Sequence, residues 1–447
     1  MAVTFRVSSY SDPTGSFTSQ QSLVTALIQA AGDQIGQYLS CNAVIDVAVT
    51  VDETITGSTI AQAGPAGVIT EGPRAGGGNI LETTAAAEIR TGVDQNGTTA
   101  EINVTLTKLF FNQSSSYLGL TDAVPSGRFD AISVLTHEMM HGIAFTGYLS
   151  NSDFVGNSIR AQTYYSDYDT QLSSANGKPY FTGKVTEIVY GGALPLTPTG
   201  GSSIYHVDSS TTALARDLMA PVATNGARLG LSDYDLAIFR DLGLPVTKTL
   251  VSPDGHTFVP GYGNVTVQGT AGLDTAVELG ARSTYTATRA GSTVAVTGTD
   301  GTDTLIDIER VKFDDQTIAF DTGLGQHAGE AYRLYQAAFN RTADSAGLGY
   351  WIRVLDGGTP NWAVAQAFAG SSEFARTYGS LDNTGFVTQL YQNILHRAPD
   401  AGGLAYYQNL LNSGVGTRGD VLAGFSESNE NQVALAGVLH NGVTYTG

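Results

Sequence analysis

His137 and His141 stand four residues apart in the run His137-Glu138-Met139-Met140-His141. On an α-helix, residues i and i+4 share a face, so both imidazoles can grip one ion. Neutral imidazole nitrogen suits zinc at about 2.0–2.1 Å, and a catalytic site takes three protein ligands and leaves a position for water. Glu138 is placed to act as general base, taking a proton from that water as its oxygen attacks a peptide carbonyl. With seven His in 447 residues, a chance match to this spacing is rare. The chemistry implied is metal-dependent hydrolysis.

The motif leaves the third ligand open. His206, in Ile204-Tyr205-His206-Val207-Asp208, is the best candidate, and Asp208, Asp169, Asp167 and Glu187 are the alternatives. A closed structural zinc site would need a fourth protein ligand. A chain with one Cys and few spare His does not readily supply it.

Periodicity gives the elements that must carry these residues. Asp130 or Ser133 caps the motif helix, and Ala131, Ile132, Val134 and Leu135 give it buried sides. The helix is expected to run past His141 and break at Gly147. Ahead of it, Val3 to Val7 reads as a strand. Leu23, Leu27, Ala31, Ile35 and Tyr38 form one face of a helix running from a cap at Ser19 or Ser22 to Leu39. Val44 to Val51 is a β-branched run, Ala75 to Asn79 a Gly-rich loop, and Ala100 to Phe111 a second alternating run. These elements predict a mixed sheet backed by helices, an α+β arrangement. Residues 149 to 205 show no helical period and are expected to be irregular surface structure over the site. Ser232 and Gly243 bracket a short helix that closes the first domain.

Beyond Val246 the pattern changes to short β runs punctuated by Gly and Asp, as far as Phe320. From Ala328 it is helical and repeated. Leu334-Tyr335-Gln336, Arg341, Asp344, Gly347, Leu348 and Tyr350 recur 56 residues later as Leu390-Tyr391-Gln392, Arg397, Asp400, Gly403, Leu404 and Tyr406. Three domains are therefore expected, over 1–247, 248–325 and 326–447. In the last, Tyr350, Trp351, Tyr406 and Tyr407 read as core, and Arg341–Asp344 and Arg397–Asp400 as helix-cap or loop-closing pairs. His256, His327 and His396 are scattered and lack ligand spacing.

Composition narrows the partners. Charged residues are only 14 % of the chain, and the net charge of −19 owes as much to having five Lys as to abundant acids. Phosphate backbones and anionic lipid would repel such a surface, so nucleic acid is excluded as a natural partner. No run of 18 apolar residues exists to span a membrane. The single Cys41 rules out an intramolecular disulfide. Met1-Ala2-Val3-Thr4-Phe5-Arg6 lacks the basic start and apolar core of a signal peptide. The expectation is a secreted or cell-surface protein exported without a cleaved signal.

Around the motif the chain resembles the metzincin class of zinc peptidases. Asp217-Leu218-Met219-Ala220-Pro221 is similar to their Met-turn, whose Met packs beneath the metal, and His206 lies 13 residues before Met219. The likeness covers roughly residues 1 to 247 and ends in a closing helix, Leu231-Ser232-Asp233-Tyr234-Asp235-Leu236-Ala237. Metzincins continue their motif to a Gly and a third His, where this chain has Ala144 and Gly147. The distant His206 is similar to the leishmanolysin-like branch, which separates the third His by a long insertion. Pro221 stands where some relatives place a Tyr that steadies the transition state.

The resemblance implies a zinc endopeptidase fold with His137, His141 and His206 on the metal, Glu138 as base, Met219 in the turn, and a protein or peptide substrate. The competing reading is a secreted surface or adhesion protein that keeps the fold without activity. The intact Glu138 argues against it. Further on, Gly269 to Asp274 and Gly298 to Asp303 resemble imperfect calcium repeats of exported bacterial proteins. That likeness implies Ca²⁺ at Asp274, Asp300 and Asp303. The helical repeat resembles a domain of unassigned function found at the C-terminus of such proteins, which implies contact with export machinery or the cell surface.

Overall fold

The computed structural model describes residues 3–121, 123–198 and 203–447. By internal contact the chain falls into two compact units, Met1–Asp254 with Gly261–Gly263, and Gly255–Pro260 with Asn264–Gly447. The segments expected as separate domains over 248–325 and 326–447 thus lie almost wholly in one unit. The reason is a strand past the last helix, Val443–Tyr445, which pairs antiparallel with Thr317–Ala319 and ties the end of the helical repeat to the β-rich segment.

The first unit is built on four strands: β1 (Thr4–Ser11), β2 (Val44–Val51), β3 (Ala61–Pro65) and β6 (Ile102–Leu106), in the order β1-β2-β6-β3. β1 runs parallel to β2 and β2 to β6, while β3 lies antiparallel to β6 and forms the edge. Alternation drives this layer. Ile45, Val47, Val49 and Val51 of β2 are buried on one face, each contributing about 1.5–3 kcal/mol of burial. α1 (Gln21–Gly36) covers the sheet with Val24, Leu27, Ile28, Ala31 and Ile35. A smaller sheet sets β4 (Val68–Pro73) and β5 (Asn79–Thr83) beside Tyr164–Ser166.

Two local structures escape periodicity. α2 (Thr84–Thr91) is an eight-residue helix fixed by its ends: Thr83 caps its N-terminus and left-handed Gly92 closes it. The region 149–205, expected to be irregular, contains the hairpin Leu172–Ala175/Lys178–Phe181 and the helix Lys184–Tyr190. The hairpin turns on Asn176-Gly177, both at positive φ, a signal present in the sequence. Four residues of that region, 199–202, lie outside the described residues.

α3 (Ala131–Ile143) carries the histidine motif. Asp130 is its N-cap, accepting the Ser133 N–H at 3.0 Å, and Asp130 is in turn gripped at both oxygens by Arg228. Gly142 lets the helix lie close on the sheet, since a Cβ there would come within 2.5 Å of Ile102. The helix does not reach Gly147. It ends at Ile143, where the N–H groups of Ala144 and Phe145 both turn back to Met140 O. The helix Asp233–Asp241 closes the unit as expected, with a Ser232/Asp235 capping box and Gly243 at φ 77°.

In the second unit, Thr257–Val259, Thr266–Gln268 and Thr275–Val277 begin nine residues apart and alternate between two sheets. The first and third pair through Thr257↔Thr275, and the middle strand pairs parallel with Thr302–Ile306. Phe258, Val267, Ala276, Leu305, Val311 and Phe313 fill the core between them. Eight helices follow as one four-helix unit used twice: His327–Phe339, Ser345–Asp356, Asn361–Ala369 and Ser372–Tyr378, then Asn383–Ile394, Ala401–Asn412, Arg418–Ser426 and Asn429–Leu439. Asp344 and Asp400 are N-caps at equivalent places, accepting from Gly347 and Gly403. Arg341 and Arg397 reach past them to Glu373 and Glu430. Trp351 and Tyr407 pack on the core, but Tyr350 and Tyr406 are 52 % and 64 % exposed, contrary to their expected burial. Each sits one position off the side of its helix that packs on the core. Among the described residues no helix is long and apolar enough to cross a membrane.

Candidate metal centre

α3 points His137 and His141 to the same side, one turn apart. His206 arrives from the other end of the unit. Its neighbour Val207 donates its N–H to Met219 O at 3.0 Å, and Thr197 N–H donates to His206 O at 2.9 Å. Met219 is fully buried in a tight turn, with Ala220 N–H on Asp217 O and Met219 N–H on Asp217 Oδ1. The same turn presents Leu218 O to the ring of His137. One short segment therefore places two of the three histidines.

The three Nε2 atoms converge, at 3.1 Å for His137–His141, 3.1 Å for His141–His206 and 3.2 Å for His137–His206. The outer nitrogens decide what those contacts are. His137 Nδ1 lies 2.7 Å from Leu218 O, and His141 Nδ1 lies 2.7 Å from Phe145 O. A carbonyl only accepts, so both Nδ1 atoms carry the proton and both Nε2 atoms present lone pairs. Lone pairs facing one another this closely repel unless a cation lies between them. Three nitrogens at 2.0–2.1 Å from a tetrahedral zinc would be about 3.3–3.4 Å apart, close to the spacing seen. The residues fit the ion, and the carbonyl partners supply the outer bonds that orient metal-bound histidines.

Electrostatics agree with this. Enclosure by protein lowers the His137 pKa, and the Leu218 bond opposes it only in part. His141 is driven well below the ordinary histidine value, by burial first and then by the two neighbouring rings. His137 and His141 are thus kept neutral, the form that binds metal. Glu138 Oε2 accepts the N–H of Ala63 on β3 at 2.9 Å. Burial pushes its carboxyl up to about 8. A metal ion held by the adjacent nitrogens would return it to a carboxylate near neutrality.

The histidines open into a cleft of about 760 Å³. One wall is edge strand β3, another the Phe145–Gly147 loop, and a third the segment from Leu218 to Thr224. Among the described residues, no Lys or Arg lines it.

The alternative ligands go elsewhere. Among the described residues, Asp208, Asp169, Asp167 and Glu187 do not join the nitrogen cluster. Asp208 caps a turn through Ser210 N–H, and Glu187 lies in the helix Lys184–Tyr190. Asp167 meets Glu71 and Glu82 in a separate acidic group, where burial and then Glu71 push it up to about 7. Asp274, Asp300 and Asp303 are not brought together as ligands, among the described residues. Asp274 is fully buried and its carboxylate is taken up by Thr270 N–H, Thr270 Oγ1 and His256 Nδ1, while Asp303 Oδ1 accepts the Val265 N–H. The groups missed in the sequence are Leu218 O, Phe145 O and Ala63 N–H. All are backbone atoms, which residue identity does not mark.

No curated protein and no solved structure matches the chain. Residues 326–374 and 365–435 match a family described as a domain of unknown function (DUF4214), and the two matches fall on the repeated helices.

Proposed function

We propose that the first unit is a zinc-dependent endopeptidase of the metzincin type. The observation that carries the reading is the convergence of three imidazole Nε2 atoms, on a helix and a buried Met turn, with Glu138 beside them in an open cleft. Bound there, zinc would supply a Lewis acid for a peptide carbonyl and make water acidic enough to ionise near neutral pH. His137, His141 and His206 would hold the ion, and the carbonyls of Leu218 and Phe145 keep the first two rings oriented. Glu138 takes the proton of the attacking water at its carboxylate and returns it to the departing amine. β3 is the edge of its sheet, so an extended substrate can add as a further strand along the cleft. Among the described residues no Lys or Arg lines the cleft, which suits neutral or apolar residues around the scissile bond. In this reading the helical repeat serves export or surface docking of a secreted protein.

Glu138→Gln tests the assignment, because it keeps size and removes the base. The variant is expected to retain its zinc and to cleave an unstructured protein about 10²–10⁴-fold more slowly. Near wild-type cleavage by Glu138→Gln would refute the role of Glu138.

A further inference from the structure

Asp169 belongs to the acids weighed as alternative ligands, yet it lies outside the nitrogen cluster and its oxygens are occupied. Oδ2 accepts the N–H of Tyr148 at 2.8 Å and that of Ser166 at 2.9 Å. Oδ1 lies 3.1 Å from the Tyr205 hydroxyl, which also accepts the Leu149 N–H at 2.9 Å. A Cβ on Gly147 would stand 2.4 Å from both carboxylate oxygens, closer than real contacts allow. The ring of Tyr168, next in the chain, packs 5.7 Å from Phe145 and 5.5 Å from Tyr205.

These contacts join two places that matter to the metal centre. Gly147 and Tyr148 belong to the loop whose Phe145 carbonyl fixes the ring of His141. Tyr205 directly precedes His206. One buried carboxylate is therefore bonded to the loop that orients the second histidine and to the residue that delivers the third. It also fills the space beside Gly147, the position at which the metzincin pattern has its own third histidine.

We infer that Asp169, acting with Tyr205, is a positioning residue that holds the Phe145 loop and His206 in register around the metal, and that residue 147 is Gly because this carboxylate occupies the space a side chain would need. The inference rests on the metal reading of the three histidines. A ligand supplied from a distant segment needs a strut that a helical ligand does not, and the Asp169–Tyr205 pair is that strut. Partners that orient metal ligands typically alter affinity by about 10–100-fold when removed.

The test uses the full chain and two readouts: zinc affinity by competition with a chromophoric chelator, and the visible spectrum of the Co²⁺-substituted protein. Asp169→Asn should bind zinc about 10–100-fold more weakly and shift the cobalt bands. Tyr205→Phe, which deletes a single oxygen, should move both readouts in the same direction by less, and it decides the matter where Asp169→Asn fails to fold. Asp241→Asn is the control. Its half-buried carboxylate clamps Val185 and Thr186 N–H in the same unit, so it should lower thermal stability and leave affinity and spectrum alone. A wild-type protein that binds no zinc would overturn the metal reading and the inference together. Tight wild-type binding with unchanged affinity and spectrum in Tyr205→Phe and Asp169→Asn would overturn the inference alone.

Discussion

Two regions of this chain carry sequence patterns that suggest metal, and the structure treats them differently. In the α3 cleft, three ring nitrogens meet within 3.2 Å, and two of them hold their protons on the opposite side of the ring. At the Gly269–Asp274 turn, Asp274 is surrounded by donors: Thr270 offers both N–H and hydroxyl, and His256 Nδ1 stands 2.8 Å away. The first arrangement is electrostatically incomplete without a cation, whereas the second is complete within the protein. The contrast teaches that ligand-type residues make a candidate metal site only where the protein leaves their lone pairs without donors. A carboxylate already bonded to its own loop is turn architecture.

The largest expected effect breaks the first half of that comparison. His206→Ala leaves two ligands where catalytic zinc needs three. The variant should lose bound zinc at sub-micromolar free metal and fall to background peptidase activity, as assayed by metal content and cleavage of an unstructured protein. Retained zinc and activity would mean that an acid such as Asp208 completes the site. Glu138→Gln comes next, with activity lost and zinc kept.

The second half is tested by Asp274→Asn. It exchanges an acceptor for a donor that faces Thr270 N–H or His256, and should destabilise the second unit by about 1–3 kcal/mol. Zinc binding should be unchanged, and added Ca²⁺ should not raise the unfolding temperature of the wild type. A rise of several degrees with Ca²⁺ would place the Gly/Asp turns with the metal sites after all. The smallest effect is expected at the repeated helices. Tyr350→Ser and Tyr406→Ser, both at exposed positions, should each change stability by less than about 0.5 kcal/mol in thermal melts. A larger loss at either would show that its ring is packed like Trp351 or Tyr407.

How much was legible follows the same division between side chain and backbone. The i, i+4 histidines, the Asp130 cap, the β-branched run of β2 and the 56-residue repeat are side-chain patterns, and they appear where the sequence predicts them. His206 could be ranked but not fixed, because its place depends on contacts with Met219 and Thr197 that no local pattern encodes. α2 stayed hidden because its eight residues span barely two turns, too few for a period to stand out. The early end of α3 depends on His141 reaching Phe145 O and on the carboxylate beside Gly147, both tertiary matters. The exposed Tyr350 and Tyr406 show the reverse error. An aromatic in a repeated motif reads as core, yet one position of helical phase is about 100° and turns it outward.

The central claim is that the three imidazole nitrogens hold a metal ion. X-ray absorption at the zinc edge of the purified full-length protein reports on those bonds directly. The prediction is a first shell with three imidazole nitrogens at about 2.0–2.1 Å and one light-atom scatterer, reduced to scattered or absent zinc in His206→Ala. A zinc shell built from carboxylate oxygens without imidazole, or one unchanged in His206→Ala, would contradict it.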